Sequence, residues 1–115
     1  MKLKPIRWVG SSREDLLALP ADVRRDIGYA LYLAQNGDKA ENAKPLKGFG
    51  SGVLEVVENY DGDTYRAVYT GRFAAAVYVL HAFQKKSKKG IATPPRDLAL
   101  IETRLKAAQR MEEEA

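Results

Sequence analysis

Three strand-like segments follow one another between residues 53 and 83, with no room for a helix between them. Segments 53–59 and 64–70 flank Tyr60-Asp61-Gly62-Asp63. Its Asp-Gly pair suits a hairpin, because the tightest hairpin turns need positive φ at both central residues. Gly71-Arg72 then leads into 74–83, which is apolar on both faces, as a central strand should be. Along 64–70, Tyr65, Ala67 and Tyr69 alternate with Arg66, Val68 and Thr70, so this strand has two distinct sides. Consecutive strands with short links pair antiparallel. The chain is therefore confined to a sheet whose helices come before and after the strands.

The flanks supply those helices. Residues 3–9 read as a short strand, with Ile6 and Trp8 alternating against Arg7 and Val9. Ser11 and Ser12 fit as N-caps of a short helix, and Glu14 and Asp15 suit the positive end of its dipole. Pro20 ends that helix, because proline cannot donate into the preceding turn. A second helix starts near Ala21. Val23, Ile27, Ala30, Leu31 and Ala34 recur at spacings of three and four, one buried face, and Asn36-Gly37 is the stop. Residues 37–52 read as a loop. Its Gly48, Gly50 and Gly52 lack the strand-before, helix-after context of a nucleotide fingerprint. Thr93 is placed to cap a last helix with Pro94 at its first position and Leu98, Ile101, Leu105 and Ala108 as its stripe. The order is β-α-α-β-β-β-α: an α+β domain with a small, twisted, mainly antiparallel sheet packed against helices. A length of 115 residues suits one domain, 1–115.

Charge is distributed unevenly. From Thr64 through Arg96 there is no acidic residue, yet Arg66, Arg72, Lys85, Lys86, Lys88, Lys89 and Arg96 fall there. A sheet that delivers cations to one end suits a polyanion, because Lys and Arg release condensed counterions when they meet phosphates. RNA is the expected partner. The net charge of +4 is modest, so placement carries more information than total. Cysteine is absent, which removes disulfides and thiolate nucleophiles, and His81 as the only histidine rules out a multi-histidine zinc centre. No cofactor or metal site is expected. Met1-Lys2-Leu3-Lys4-Pro5 lacks a signal-peptide core and no long apolar run occurs, so the expectation is a cytoplasmic protein with no membrane partner.

The element order, Leu46-Lys47-Gly48 before the first hairpin strand, Tyr65-Arg66-Ala67-Val68-Tyr69, and 79–86 followed by Thr93-Pro94 and a closing helix resemble the RelE/ParE toxin superfamily. The nearest likeness is to its phage-derived HigB-like branch, over nearly the whole chain. The resemblance implies a RelE-like fold and the toxin of a type II toxin–antitoxin pair, held inactive by a cognate antitoxin protein. It further implies an endoribonuclease acting on mRNA in the ribosome, in which the 2′-hydroxyl attacks its adjacent phosphate without a metal. Antitoxin inhibition is expected from a segment packing on the sheet or displacing the last helix, with acidic side chains meeting the basic end.

Carried over by position, Arg66 matches the strand arginine that contacts the scissile phosphate. Lys47 matches a basic loop position, and Lys85 and Lys86 match basic residues ending the last strand. The chain departs from the RelE branch at Val53 and Glu55, where that branch has lysines, and at Val57, where it often has arginine. The candidate catalytic set is therefore Arg66, Lys85, Lys86, His81 and Glu55, with His81 or Glu55 as the proton-transfer group. RNA contacts are expected from Lys44, Lys47, Arg72, Lys88 and Lys89. Each has a plainer reading. Arg66 and the lysines are solvated cations, His81 is a core histidine alternating with Val77 and Val79, and Glu55 bonds a neighbour. Tyr65, Tyr69 and Tyr78 read as packed aromatics. Two other functions share this pattern: a ParE-like toxin that binds gyrase without nuclease chemistry, and a non-toxic RNA-binding module.

Overall fold

A strand that is apolar on both faces must be covered on both, and the fold does this for the middle of its sheet. A computed structural model describes residues 3–85 and 93–115. Its elements are β1 (Ile6–Trp8), α1 (Ser12–Leu17), α2 (Ala21–Gln35), β2 (Ala43–Pro45), β3 (Val53–Tyr60), β4 (Asp63–Thr70), β5 (Val77–Lys85) and α3 (Pro95–Glu113). The five strands form one sheet in the order β1-β5-β4-β3-β2. Only β1, beside β5, runs parallel to its neighbour; the other pairs are antiparallel. This is the mixed α+β, RelE-like architecture expected from the sequence. No helix among the described residues is long and apolar enough to cross a membrane.

One face of the sheet packs against α2, where Val23, Ile27 and Leu31 meet Val56, Ala67 and Val79. The other face packs against α3, where Ile101 and Ala108 meet Val53, Val68, Tyr78 and Leu80. The expected alternation along β4 holds. Tyr65, Ala67 and Tyr69 lie in the α2-side core, while Val68 lies in the α3-side core. Between β3 and β4 the turn residues Asp61 (φ 52°) and Gly62 (φ 84°) are both left-handed, as the type I′ form of a two-residue hairpin requires.

Four details differ from the sequence reading. Residues 43–45, read as loop, pair with β3 as an edge strand; Pro45 is tolerated there because an edge strand has one side that forms no ladder bonds. The last strand starts at Val77 rather than residue 74. Ser11 and Ser12 do not cap α1 with their side chains. Instead the Ser12 hydroxyl, fully buried, accepts from the Val9 N–H (3.1 Å) and donates to the Val79 carbonyl (3.0 Å), which rivets α1 to the sheet. At the start of α3, Pro94 is the N-cap and Pro95 the first helical residue, which frees the Thr93 side chain for another partner.

Polar ties fasten α3 along its length. The guanidinium of Arg104 donates to the Leu80 carbonyl (2.9 Å) and to Ser11 Oγ (2.9 Å). Near the helix end, Glu112 accepts from the Tyr78 hydroxyl (2.9 Å) and the Ala75 N–H (3.1 Å). Gly10 makes room for the Arg104 tie. It is left-handed at φ 57°, and a Cβ there would lie 2.8 Å from Arg104 Nε. Gly10→Ala should therefore lower stability by about 1–3 kcal/mol through backbone strain and displacement of the guanidinium. Urea unfolding of Gly10→Ala, Arg104→Ala and the double variant tests this. The Gly10→Ala penalty should shrink when Arg104 is already absent, and strict additivity would show that the two do not interact.

Candidate nucleic-acid interface

Strand register brings Glu55 and Arg66 together. Arg66 on β4 pairs with Val57, and Glu55 on β3 pairs with Val68, so the two charged residues are diagonal neighbours on the α3 face. Arg66 Nη1 donates to Glu55 Oε1 at 2.9 Å, with the residues only 4% and 3% exposed. Thr93 donates through Oγ1 to the other carboxylate oxygen at 2.8 Å. Arg66 Nε has no hydrogen-bond partner among the described residues. The pair borders a cavity of about 410 Å³ whose walls include Lys44, Lys47, Glu55, Arg66, Thr93 and Leu98. Three cations against one carboxylate make that wall electropositive. Lys44 and Lys47 stand exposed at the rim, which suits a polyanion entering from solvent.

Lys85 belongs to the same neighbourhood. It lies opposite Thr64 and two residues beyond Phe83, the partner of Arg66, so it shares the α3 face with Arg66. Burial holds its ammonium below the ordinary lysine value of 10.5, Arg66 adds repulsion, Glu55 opposes the shift, and Lys44 contributes a further repulsion.

His81 reaches that face by a different route. Val68 pairs with His81 while Tyr69 pairs with Val79, so Leu80 is an extra residue bulged out of the β4–β5 ladder. Val77 and Val79 pack on the α2 side and Tyr78 and Leu80 on the α3 side. After the bulge Ala82 is again on the α2 side, which turns His81, Phe83 and Lys85 toward α3. Simple alternation with Val77 and Val79, the plain reading of the sequence, therefore fails at His81. Its Nε2 lies 2.7 Å from Asp97 Oδ1 in the first turn of α3, and its ring stacks on Phe83 at 4.5 Å between centroids. Its Nδ1 is buried with no partner among the described residues. His81 does not line the cavity beside Arg66.

Arg72 is not brought to this site. It follows the far end of β4, lies 5.2 Å from the Phe73 ring centroid and packs over Gly52. Six steps along the chain at strand-like rise, roughly 20 Å, separate it from Arg66. Lys86, Lys88 and Lys89 lie outside the described residues. The sequence reading did not single out as site residues Thr93, which borders the cavity, or Asp97, which meets His81. Thr93 carried the signal of a helix cap, and Asp97 that of an acid suiting a helix start, so neither disclosed a partner on the sheet.

A family model described as "Phage derived protein Gp49-like (DUF891)" matches residues 14–106, from within α1 to within α3. Comparisons with curated proteins and with solved structures find no match. The matched family is phage-derived and toxin-like, lies in the RelE/HigB-like toxin superfamily and implies an antitoxin partner. Its match covers most of the chain and the elements that build both sides of the cavity. The chain belongs to the Gp49-like family of phage-derived proteins.

Proposed function

We propose that this chain is the toxin of a type II toxin–antitoxin pair and that it cleaves mRNA on the ribosome. The observation that carries the reading is the buried Glu55–Arg66 pair set in the wall of a lysine-rimmed cavity. In the proposed reaction the 2′-oxygen of one nucleotide attacks its own 3′-phosphorus. Glu55 accepts the 2′ proton, the P–O5′ bond breaks, and the Lys85 ammonium donates a proton to the departing 5′ oxygen. The products are a 2′,3′-cyclic phosphate and a free 5′-hydroxyl. Arg66 stabilises the charge that gathers on the phosphorane oxygens, and its value is greatest in a site shielded from water. Glu55 is preferred to His81 as the base because it borders the cavity beside Arg66, which His81 does not. The exposed rim lysines Lys44 and Lys47 supply backbone contacts, joined in this reading by Lys86, Lys88 and Lys89.

A second reading is favoured by one feature: Glu55 already neutralises Arg66, as a purely structural pair would. It is a gyrase-binding toxin without nuclease chemistry. Inducing the chain and mapping transcript ends by primer extension separates the two. The nuclease gives new ends within translated codons. Growth arrest with intact messages and trapped gyrase would overturn it.

Two further outcomes are expected. Replacing Arg66 alone by methionine strands a buried carboxylate and should lower stability by about 3–5 kcal/mol, whereas adding Glu55→Gln should return much of that loss. Urea unfolding measures both. The folded double variant should have lost cleavage by about 10²-fold or more. In single-turnover assays with ribosome-bound message, the rate should fall at alkaline pH, starting below the ordinary lysine range, because burial disfavours the Lys85 ammonium in the fold. Lys85→Ala should remove the alkaline limb; a limb that persists would exclude Lys85 as the acid.

A further inference from the structure

The cationic cavity lies on the α3 side of the sheet; the α2 side carries a surface of opposite character. On the exposed flank of α2, Tyr29 (61% exposed) and Tyr32 (49%) stack on each other at 6.5 Å between centroids. Two large aromatics held in contact in open solvent are unusual, because burying tyrosine contributes strongly to association. Beside them a groove of about 450 Å³ runs between α2, residues 39–42 and the end of β3, bordered by Asp26, Tyr29, Leu33, Lys39, Glu41 and Glu58. Three carboxylates face one ammonium there, in a chain whose net charge is +4. Asp26 also has Arg25 at 3.8 Å, but that arginine is 71% exposed and bridges to Asp22 as well. Glu58 points to this side because it follows Val56, a member of the α2-side core, by two residues. Its carboxylate accepts from Asn42 Nδ2 at 2.7 Å and meets no cation among the ion pairs of the described residues. Burial lifts its pKa above the ordinary 4.5, the Asn42 bond opposes this, and the Asp26 charge adds to it.

We infer that the groove between α2 and β3 is a docking surface for an arginine-bearing segment of a partner protein. Charge complementarity identifies the occupant. An RNA backbone would be repelled by Asp26, Glu41 and Glu58, whereas a guanidinium can pair with Glu58 and Asp26 while stacking on Tyr29. Leu33 and the tyrosine faces accept the aliphatic side chains that accompany the arginine in a polypeptide. The groove opens on the sheet face opposite Arg66 and Glu55, so a partner seated here leaves the cationic cavity open. This inference does not depend on the nuclease reading.

The test is a titration of the isotope-labelled full chain, followed by NMR, with an acetylated helical peptide carrying three arginines and two leucines on one face. Amide shifts confined to α2, residues 39–42 and β3 are expected, with binding weakened by added salt. Combined Asp26→Asn and Glu58→Gln should reduce affinity by about tenfold or more, and Tyr29→Ala by a similar factor. Asp26 and Tyr29 are exposed and Glu58 is half-buried outside the apolar core, so the variants keep the fold, which the unperturbed core amide spectrum would report. The inference is overturned if the peptide fails to bind at up to about 1 mM. It is equally overturned if the carboxamide variant binds as well as the parent, if the shifts map to the α3 face, or if spermidine displaces the peptide with equal affinity. That last result would mean the groove takes a free cation rather than a protein.

Discussion

Arg66 can be withdrawn from water only because Glu55 stands diagonally across the β3–β4 ladder, and much of this molecule follows from that pairing. An isolated guanidinium at such depth would be strongly disfavoured, since transfer from water is not offset by attraction to distant charges. With Glu55 at 2.9 Å and Thr93 holding the second carboxylate oxygen, the charges become a fixed, oriented array. Orientation is what the proposed phosphate site requires. Flexible surface lysines must be ordered at the moment of binding, whereas a buried arginine already points its donors one way.

The array depends in turn on where α3 begins. Thr93 can reach Glu55 only while the first turn of the helix lies against the sheet. That position is defended at three levels: His81 with Asp97, Arg104 with the Leu80 carbonyl and Ser11, and Glu112 with Tyr78 and Ala75. The apolar stripe through Ile101 and Ala108 supplies most of the adhesion, and the polar ties set its register. The bulge at Leu80 serves two of the three levels. It turns His81 toward Asp97, and the carbonyl of the bulged residue is the acceptor for Arg104. A partner that lifted α3 would break these ties and withdraw Thr93 from the charged pair, while one docked on α2 would leave them untouched.

The environments on the two sides of one sheet are separated by the simplest property of a strand, that successive side chains point opposite ways. On β3, Glu55 and Val53 serve the α3 side, and Val56 and Glu58 the α2 side. Two glutamates three residues apart thus have unrelated environments. One is locked against arginine, and the other lies at a groove beside tyrosines.

What the sequence determined by itself is everything governed by near neighbours along the chain. The Asp61-Gly62 hairpin, the buried stripe of α2, the stop at Asn36-Gly37 and the facing of Arg66 away from Tyr65 and Tyr69 all follow from local backbone preference and short periods. Three residues with a proline were too few to announce β2 as a strand. Only the tertiary structure decided which distant groups meet: Glu55 with Arg66, Thr93 with Glu55, His81 with Asp97. Those meetings depend on strand register and on one bulged residue, and a shift of a single position there reverses the face of every side chain that follows. Periodicity is written in adjacent covalent geometry, whereas register is chosen by the packing of segments far apart in the chain.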